Sequence, residues 1–141
     1  MSDVRTVPTV TYDAACRVVA AAAERAAAEG IAVCIAVADP GGNLVAFGRM
    51  DGAALLSAKI AEDKAYTVTA FHGVPTGDWF AMIKDEPALL TGIVHRERLV
   101  VFGGGVPLTA DGKLVGAVGV SGGSAEQDVL CATAGARVFS A

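Results

Sequence analysis

Near the N-terminus an alanine-dominated segment runs straight into an unbroken apolar one, with only Gly30 between them, and that junction leaves few folds open. Tyr12 to Glu29 is built from strong helix formers, with Thr11 placed as N-cap and Gly30 as terminator. Val18, Val19 and the alanines make a shallow apolar face, while Arg17, Glu24, Arg25 and Glu29 meet solvent. Ile31 to Ala38 then reads as a strand covered on both faces, which belongs near a sheet centre. Asp39-Pro40-Gly41-Gly42-Asn43 is a dense turn signal, and Leu44 to Met50 resumes strand character, so the two runs predict an antiparallel hairpin.

The later segments continue this alternation. A second helix is predicted over Ala53 to Phe71, with Leu55, Leu56, Ile60, Val68 and Phe71 as its apolar positions and Ser57, Lys59, Glu62, Asp63 and Lys64 among its polar ones. Thr76-Gly77-Asp78 opens a further helix through Trp79, Phe80, Met82 and Ile83, which Pro87 ends or interrupts. Strand character returns at Arg98 to Phe102, breaks at Gly103-Gly104-Gly105 and reappears in Val106 to Thr109. Ala110-Asp111-Gly112 turns that strand into Leu114 to Val120. Gly122 and Gly123 stop the last strand, and Ser124 with Gln127 forms a capping box for a final helix. The order of helix, two strands, two helices, three strands and helix suits a mainly antiparallel five-stranded sheet covered by helices.

Composition narrows the function classes. The 141 residues fit one domain, 1–141, and the apolar fraction of 53% is mostly Ala and Val, an excess expected to be buried partly against another subunit in a homo-oligomer. A net charge of −4 offers no basic face to phosphates, so no nucleic-acid partner is expected. Charges and glycines interrupt every apolar stretch well short of the roughly 20 residues a membrane helix needs, and the first residues lack the apolar core of a secretory leader. Cys16, Cys34 and Cys131 are widely spaced and odd in number, which reads as reduced, buried thiols in a cytoplasmic protein. Neither His72 nor His95 has a partner at metal-ligand spacing, and P-loop, dinucleotide and nucleophile-elbow patterns are missing.

Three segments together follow a known pattern. They are Val37 to Ala46 continuing into Arg49-Met50-Asp51-Gly52-Ala53, Gly104-Gly105-Val106-Pro107-Leu108, and Gly116 to Gly123 with Glu126-Gln127-Asp128. In these the chain resembles the GlcG/HbpS family, which also includes the C-terminal domain of PduO-type corrinoid proteins. The resemblance spans nearly the whole chain and implies a profilin-like three-layer α/β/α sandwich, a homo-oligomer and, for some members, association with haem or a corrinoid. Between His72 and Phe102 the pattern is followed only loosely, and specificity for a ligand is expected there.

The residues themselves leave two chemistries open. Gly104, Gly105, Val106, Pro107, Ser121, Gly122 and Gly123 are expected to line a cavity, with the Gly122-Gly123 helix entrance offering N–H groups to a carboxylate or propionate; turn geometry alone is the other reading. Arg49 is suited to fork onto a carboxylate and Asp51 to orient it or act as base, unless the two form an exposed ion pair. Lys64, placed to stabilise an anionic intermediate, and Glu126, placed as general acid or base, also have bland readings as a solvated lysine and a helix-dipole partner. Met50 faces the opposite side and belongs to the core. The resemblance favours a small-molecule-binding protein for haem or a related tetrapyrrole but carries no haem ligand onto this chain; chemically either His95 or His72 would serve as the axial nitrogen donor, with a solvent-exposed side chain as the bland reading of His95. The alternative is a cofactor-independent hydrolase, isomerase or tautomerase for a carboxylated ring-degradation intermediate, with Arg49, Asp51, Lys64 and Glu126 as its catalytic groups.

Overall fold

A computed structural model describes residues 2–139 of the chain. Helix α1 spans Tyr12–Ala28, and the Thr11 side chain accepts the N–H of Ala14 as expected of its cap. Strands β1 (Cys34–Ala38) and β2 (Leu44–Arg49) form the predicted antiparallel hairpin. Asp39 shapes its turn, since one carboxylate oxygen accepts the N–H groups of Gly41 and Asn43. Helix α2 follows (Leu55–Ala70), then a 3₁₀ turn (Thr76–Asp78), the short helices α3 (Trp79–Ile83) and α4 (Pro87–Gly92), and another 3₁₀ turn (Ile93–His95). Strands β3 (Gly105–Ala110) and β4 (Lys113–Ser121) and helix α5 (Ala125–Val138) complete the described residues. The Ser124–Gln127 capping box is made in both directions.

The sheet is antiparallel in the order β2-β1-β4-β3, with four strands rather than the expected five. Arg98 to Phe102 does not join it. Arg98 has φ +65°, and the Val100 N–H donates to the Thr67 hydroxyl, so a side chain takes a donor that a neighbouring strand would have used. The expected helix over Thr76 to Ile83 is likewise shorter, a 3₁₀ turn plus one turn of α3, and Pro87 opens α4 at its first turn instead of only ending a helix.

The two faces of the sheet differ in side-chain size, and this decides how the helices approach. Ile35, Val37, Val118 and Val120 point to one face and form the larger core with Val18 and Ala22 of α1 and Cys131 and Ala132 of α5. Cys34, Ala36, Ala38, Ala117, Gly119 and Ser121 point to the other, where α2 lies. A β-carbon on Gly119 would collide with the Ala61 carbonyl and stand 2.7 Å from the Ala65 nitrogen, so α2 rests directly on strand backbone.

This close approach overturns the expected polarity of α2. Its buried side carries Ser57, Ala61, Lys64, Ala65, Thr67, Val68 and Thr69, whereas Leu55 and Leu56 are 82% and 74% exposed. Leucines have no room over a face made of Ala and Gly, and small or slender side chains do. Among the described residues no helix is long and apolar enough to cross a membrane.

Candidate functional site: a buried lysine beneath a glycine-rich strand entrance

The hairpin and β4 bring two of the three notable segments to one end of the sheet. Arg49 pairs with Cys34, and Cys34 pairs with Ser121, so the three share a row on the α2 face. Two strand spacings separate Arg49 from Ser121, about 10 Å. The third segment enters beside them, because the Val120 N–H donates to the Gly104 carbonyl at 2.8 Å.

Lys64 lies beneath this end, fully buried on α2. Its ammonium donates to the Val120 carbonyl at 2.7 Å and to Asp128 Oδ2 at 3.0 Å, and stands 5.1 Å from the centre of the Phe102 ring. Asp128 is fixed from its other side, where Oδ1 accepts the Gly123 N–H at 2.9 Å. The pair therefore ties α2, β4, the Gly122-Gly123 turn and α5 together. Desolvation pushes the Lys64 pKa below the ordinary lysine value, and the Asp128 carboxylate opposes that fall only in part.

The glycines are explained by the space this pair needs. A β-carbon on Gly104 would stand 2.5 Å from both Lys64 Nζ and the Val120 carbonyl oxygen, and Gly104 has φ +131°. A β-carbon on Gly103 would lie 2.7 Å from Val129 Cγ2. Gly105 packs on the Lys64 backbone and gives its N–H to Thr76 at 2.8 Å. Gly122, at φ +144°, leaves room for the Ala32 carbonyl.

The remaining expected residues scatter around this centre. Arg49 is exposed and forms no ion pair among the described residues, although its charge partly offsets the burial that pushes the Cys34 thiol up. Asp51 and Glu126 are also exposed, and among the described residues neither is bonded to Lys64, Arg49 or the other. Val106 faces the larger core and Pro107 sits against Gly73. Met50 packs on the larger core, with its sulfur 3.5 Å from the Val33 nitrogen. Ser121 is buried beside Cys34.

Sequence reasoning passed over Asp128 in favour of Glu126. The signal was there, since Asp128, Cys131, Ala132 and Gly135 recur at three- and four-residue spacing and form the buried face of α5. Ala61, Lys64, Ala65 and Val68 carry the same signal on α2.

The histidines lie in contrasting surroundings. His72, exposed at φ +58° just past α2, has its ring 5.1 Å from Phe71, which in turn is 5.0 Å from Trp79. Trp79 is buried, and its indole Nε1 is without a partner among the described residues. Phe80 and Met82, exposed on α3, extend the apolar surface of the neighbouring segment. His95 instead borders a cleft of about 430 Å³ lined by Tyr66, Arg96, Glu97 and Arg98. A second cleft, of about 440 Å³, lies between the N-terminal arm and the Asp39–Asn43 turn, and neither includes Lys64 or Asp128.

Comparison with known proteins agrees with this architecture. Residues 10–137 match the family described as haem degrading protein HbpS-like. GlcG of Escherichia coli strain K12 is 39% identical over 74% of this chain and 75% of its own length. The crystal structure of Klebsiella pneumoniae protein ORFY superposes with a TM-score of 0.88 at 33% identity, covering 99% of this chain and 96% of that one. A solved complex of PduOC with heme superposes with a TM-score of 0.84 at 31% identity, covering 92% of this chain and 94% of that one. With a sheet of this order, a match over nearly all of its length and relatives above 30% identity, the chain belongs to the HbpS-like family.

Proposed function

We propose that the chain is a small-molecule-binding protein of the HbpS type whose ligand is haem or a related tetrapyrrole, and that it works as a cytoplasmic homo-oligomer. The observation that carries this reading is the likeness to the PduOC complex with heme over 92% of the chain. The residues fit such a group: a tetrapyrrole needs a nitrogen donor for its metal and an apolar wall for its ring. His72 supplies the donor, and Phe71 with Trp79 behind it supplies an aromatic wall. His95 is the poorer donor site, since guanidinium and carboxylate groups surround it. When bound, haem would supply redox-active iron.

Binding is favoured over catalysis by Arg49, Asp51, Lys64 and Glu126 because Lys64 spends its ammonium on Val120 and Asp128 and is closed to solvent. The exposed Leu55 and Leu56 support the homo-oligomer, as two neighbouring leucines on a helix face call for cover. Titration with haemin, followed in the Soret region, tests the proposal. A stoichiometric Soret shift should appear, vanish in His72→Ala and persist in His95→Ala. Broad, substoichiometric absorbance, or an unchanged shift in His72→Ala, would overturn it.

A further inference from the structure

The loop that stands where a fifth strand was expected holds one residue more firmly than a surface connection requires. Arg98 occupies the left-handed region at φ +65°, which residues other than glycine enter rarely. Thr67, buried on α2, clamps that backbone: its hydroxyl donates to the Arg98 carbonyl at 2.9 Å and accepts the Val100 N–H at 3.0 Å. The side chain is fixed as well, with Nε donating to Asp63 Oδ1 at 3.0 Å and the guanidinium carbon 3.9 Å from the Tyr66 ring centre. An arginine has five N–H donors, and the four on the Nη nitrogens of Arg98 have no protein partner among the described residues. Arg98 lines a cleft of about 430 Å³ together with Tyr66, His95, Arg96 and Glu97, a volume in the range of small-molecule sites.

We propose that this cleft binds a small monocarboxylate that also carries a hydrogen-bond donor, with the Nη edge of Arg98 as its fork. A planar guanidinium matches a carboxylate with two parallel bonds, and here stacking and the Asp63 bond set its plane before any ligand arrives. Arg96 adds a second positive charge, while the Glu97 carboxylate offers an acceptor for the ligand's donor. Asp63 and Glu97 together balance the charges of Arg96 and Arg98, so a dianionic phosphate gains little from the local field. Strain stored at Arg98 then has a purpose, because it presents the fork in one orientation. The site is separate from the His72 surface and does not depend on tetrapyrrole binding.

Nuclear magnetic resonance of ¹⁵N-labelled protein, titrated with lactate and separately with inorganic phosphate, tests the proposal. Lactate should shift the Arg98 Nε–H and the backbone amides of Tyr66 and Arg96 saturably, and phosphate should not. Arg98→Lys should weaken lactate binding about tenfold, the loss expected when a bidentate charged contact becomes a single one. Should that variant disturb the loop, Arg96→Gln, whose side chain has no bond among the described residues, should weaken binding several-fold by removing one charge. Absence of a saturable shift in the wild type, shifts confined to other parts of the chain, equal binding of phosphate, or unchanged affinity in a folded variant would each overturn the proposal.

Discussion

Removal of the Asp128 carboxylate is the perturbation whose consequence is most sharply set by the structure. Lys64 and Asp128 lie 3.0 Å apart with side chains only 1% and 4% exposed, so Asp128→Ala leaves an ammonium with no counter-charge and no water. The Val120 carbonyl and the Phe102 ring remain, and a ring at 5.1 Å cannot replace a carboxylate in direct contact. Breaking a buried pair in this manner costs about 3–5 kcal/mol. At about 4 °C per kcal/mol for a chain of this size, the melting temperature should fall by roughly 12–20 °C. Loss of the Oδ1 bond adds little, because the Gly123 N–H is only partly buried and water can take its place. Replacing both partners by apolar groups, Lys64→Met with Asp128→Leu, should recover most of the loss. Urea unfolding of the two single variants and the double variant measures this directly. A cost of about 1 kcal/mol or less for Asp128→Ala, the value of an exposed pair, would refute the reasoning, as would a double variant whose cost is the sum of the singles.

Three further outcomes follow from the same structure. The folded-state pKa of Lys64 lies below its unfolded value, so between the two the unfolded chain holds the extra proton and stability rises with pH. The stability of the wild type relative to Lys64→Met should therefore increase as pH climbs toward the ordinary lysine pKa of about 10.4, and a flat difference in paired urea titrations would count against it. Gly104→Ala should destabilise strongly, because its β-carbon meets Lys64 Nζ at 2.5 Å, whereas Gly112→Ala, also at positive φ but facing open space, should cost only about 1–2 kcal/mol of backbone strain; equal melting temperatures would contradict this. Leu56→Glu, at a position 74% exposed, should leave the melting of the fold intact and shift size-exclusion elution to a smaller species, and an unchanged elution would remove the leucines from the assembly surface.

What could be read from residues alone was governed by local chemistry. The α1 cap at Thr11, the Asp39–Asn43 hairpin and the Ser124–Gln127 capping box each rest on bonds between residues no more than four apart. The burial of α2 was not legible in the same way, because Leu55 and Leu56 look like core until the sheet face opposite is seen to consist of Ala, Gly, Cys and Ser. Only the pairing of β1 with β4 assembles that face, and those strands are far apart in the chain. Arg98 to Phe102 has strand-like side chains, yet its fate was set by Thr67, distant in the chain, whose hydroxyl takes the Val100 N–H and donates to the Arg98 carbonyl. Arg49, Lys64 and the glycine segments were singled out individually, and what joins the last two is the carboxylate of Asp128, 64 residues from Lys64 in the chain.

A crystal structure of the chain grown with haemin bears on the proposed ligand more directly than any variant. Iron should be found on the His72 imidazole, with the porphyrin ring against Phe71. A porphyrin seated over Arg49 and the glycine segments instead, or crystals with no ordered iron in the presence of saturating haemin, would contradict the account.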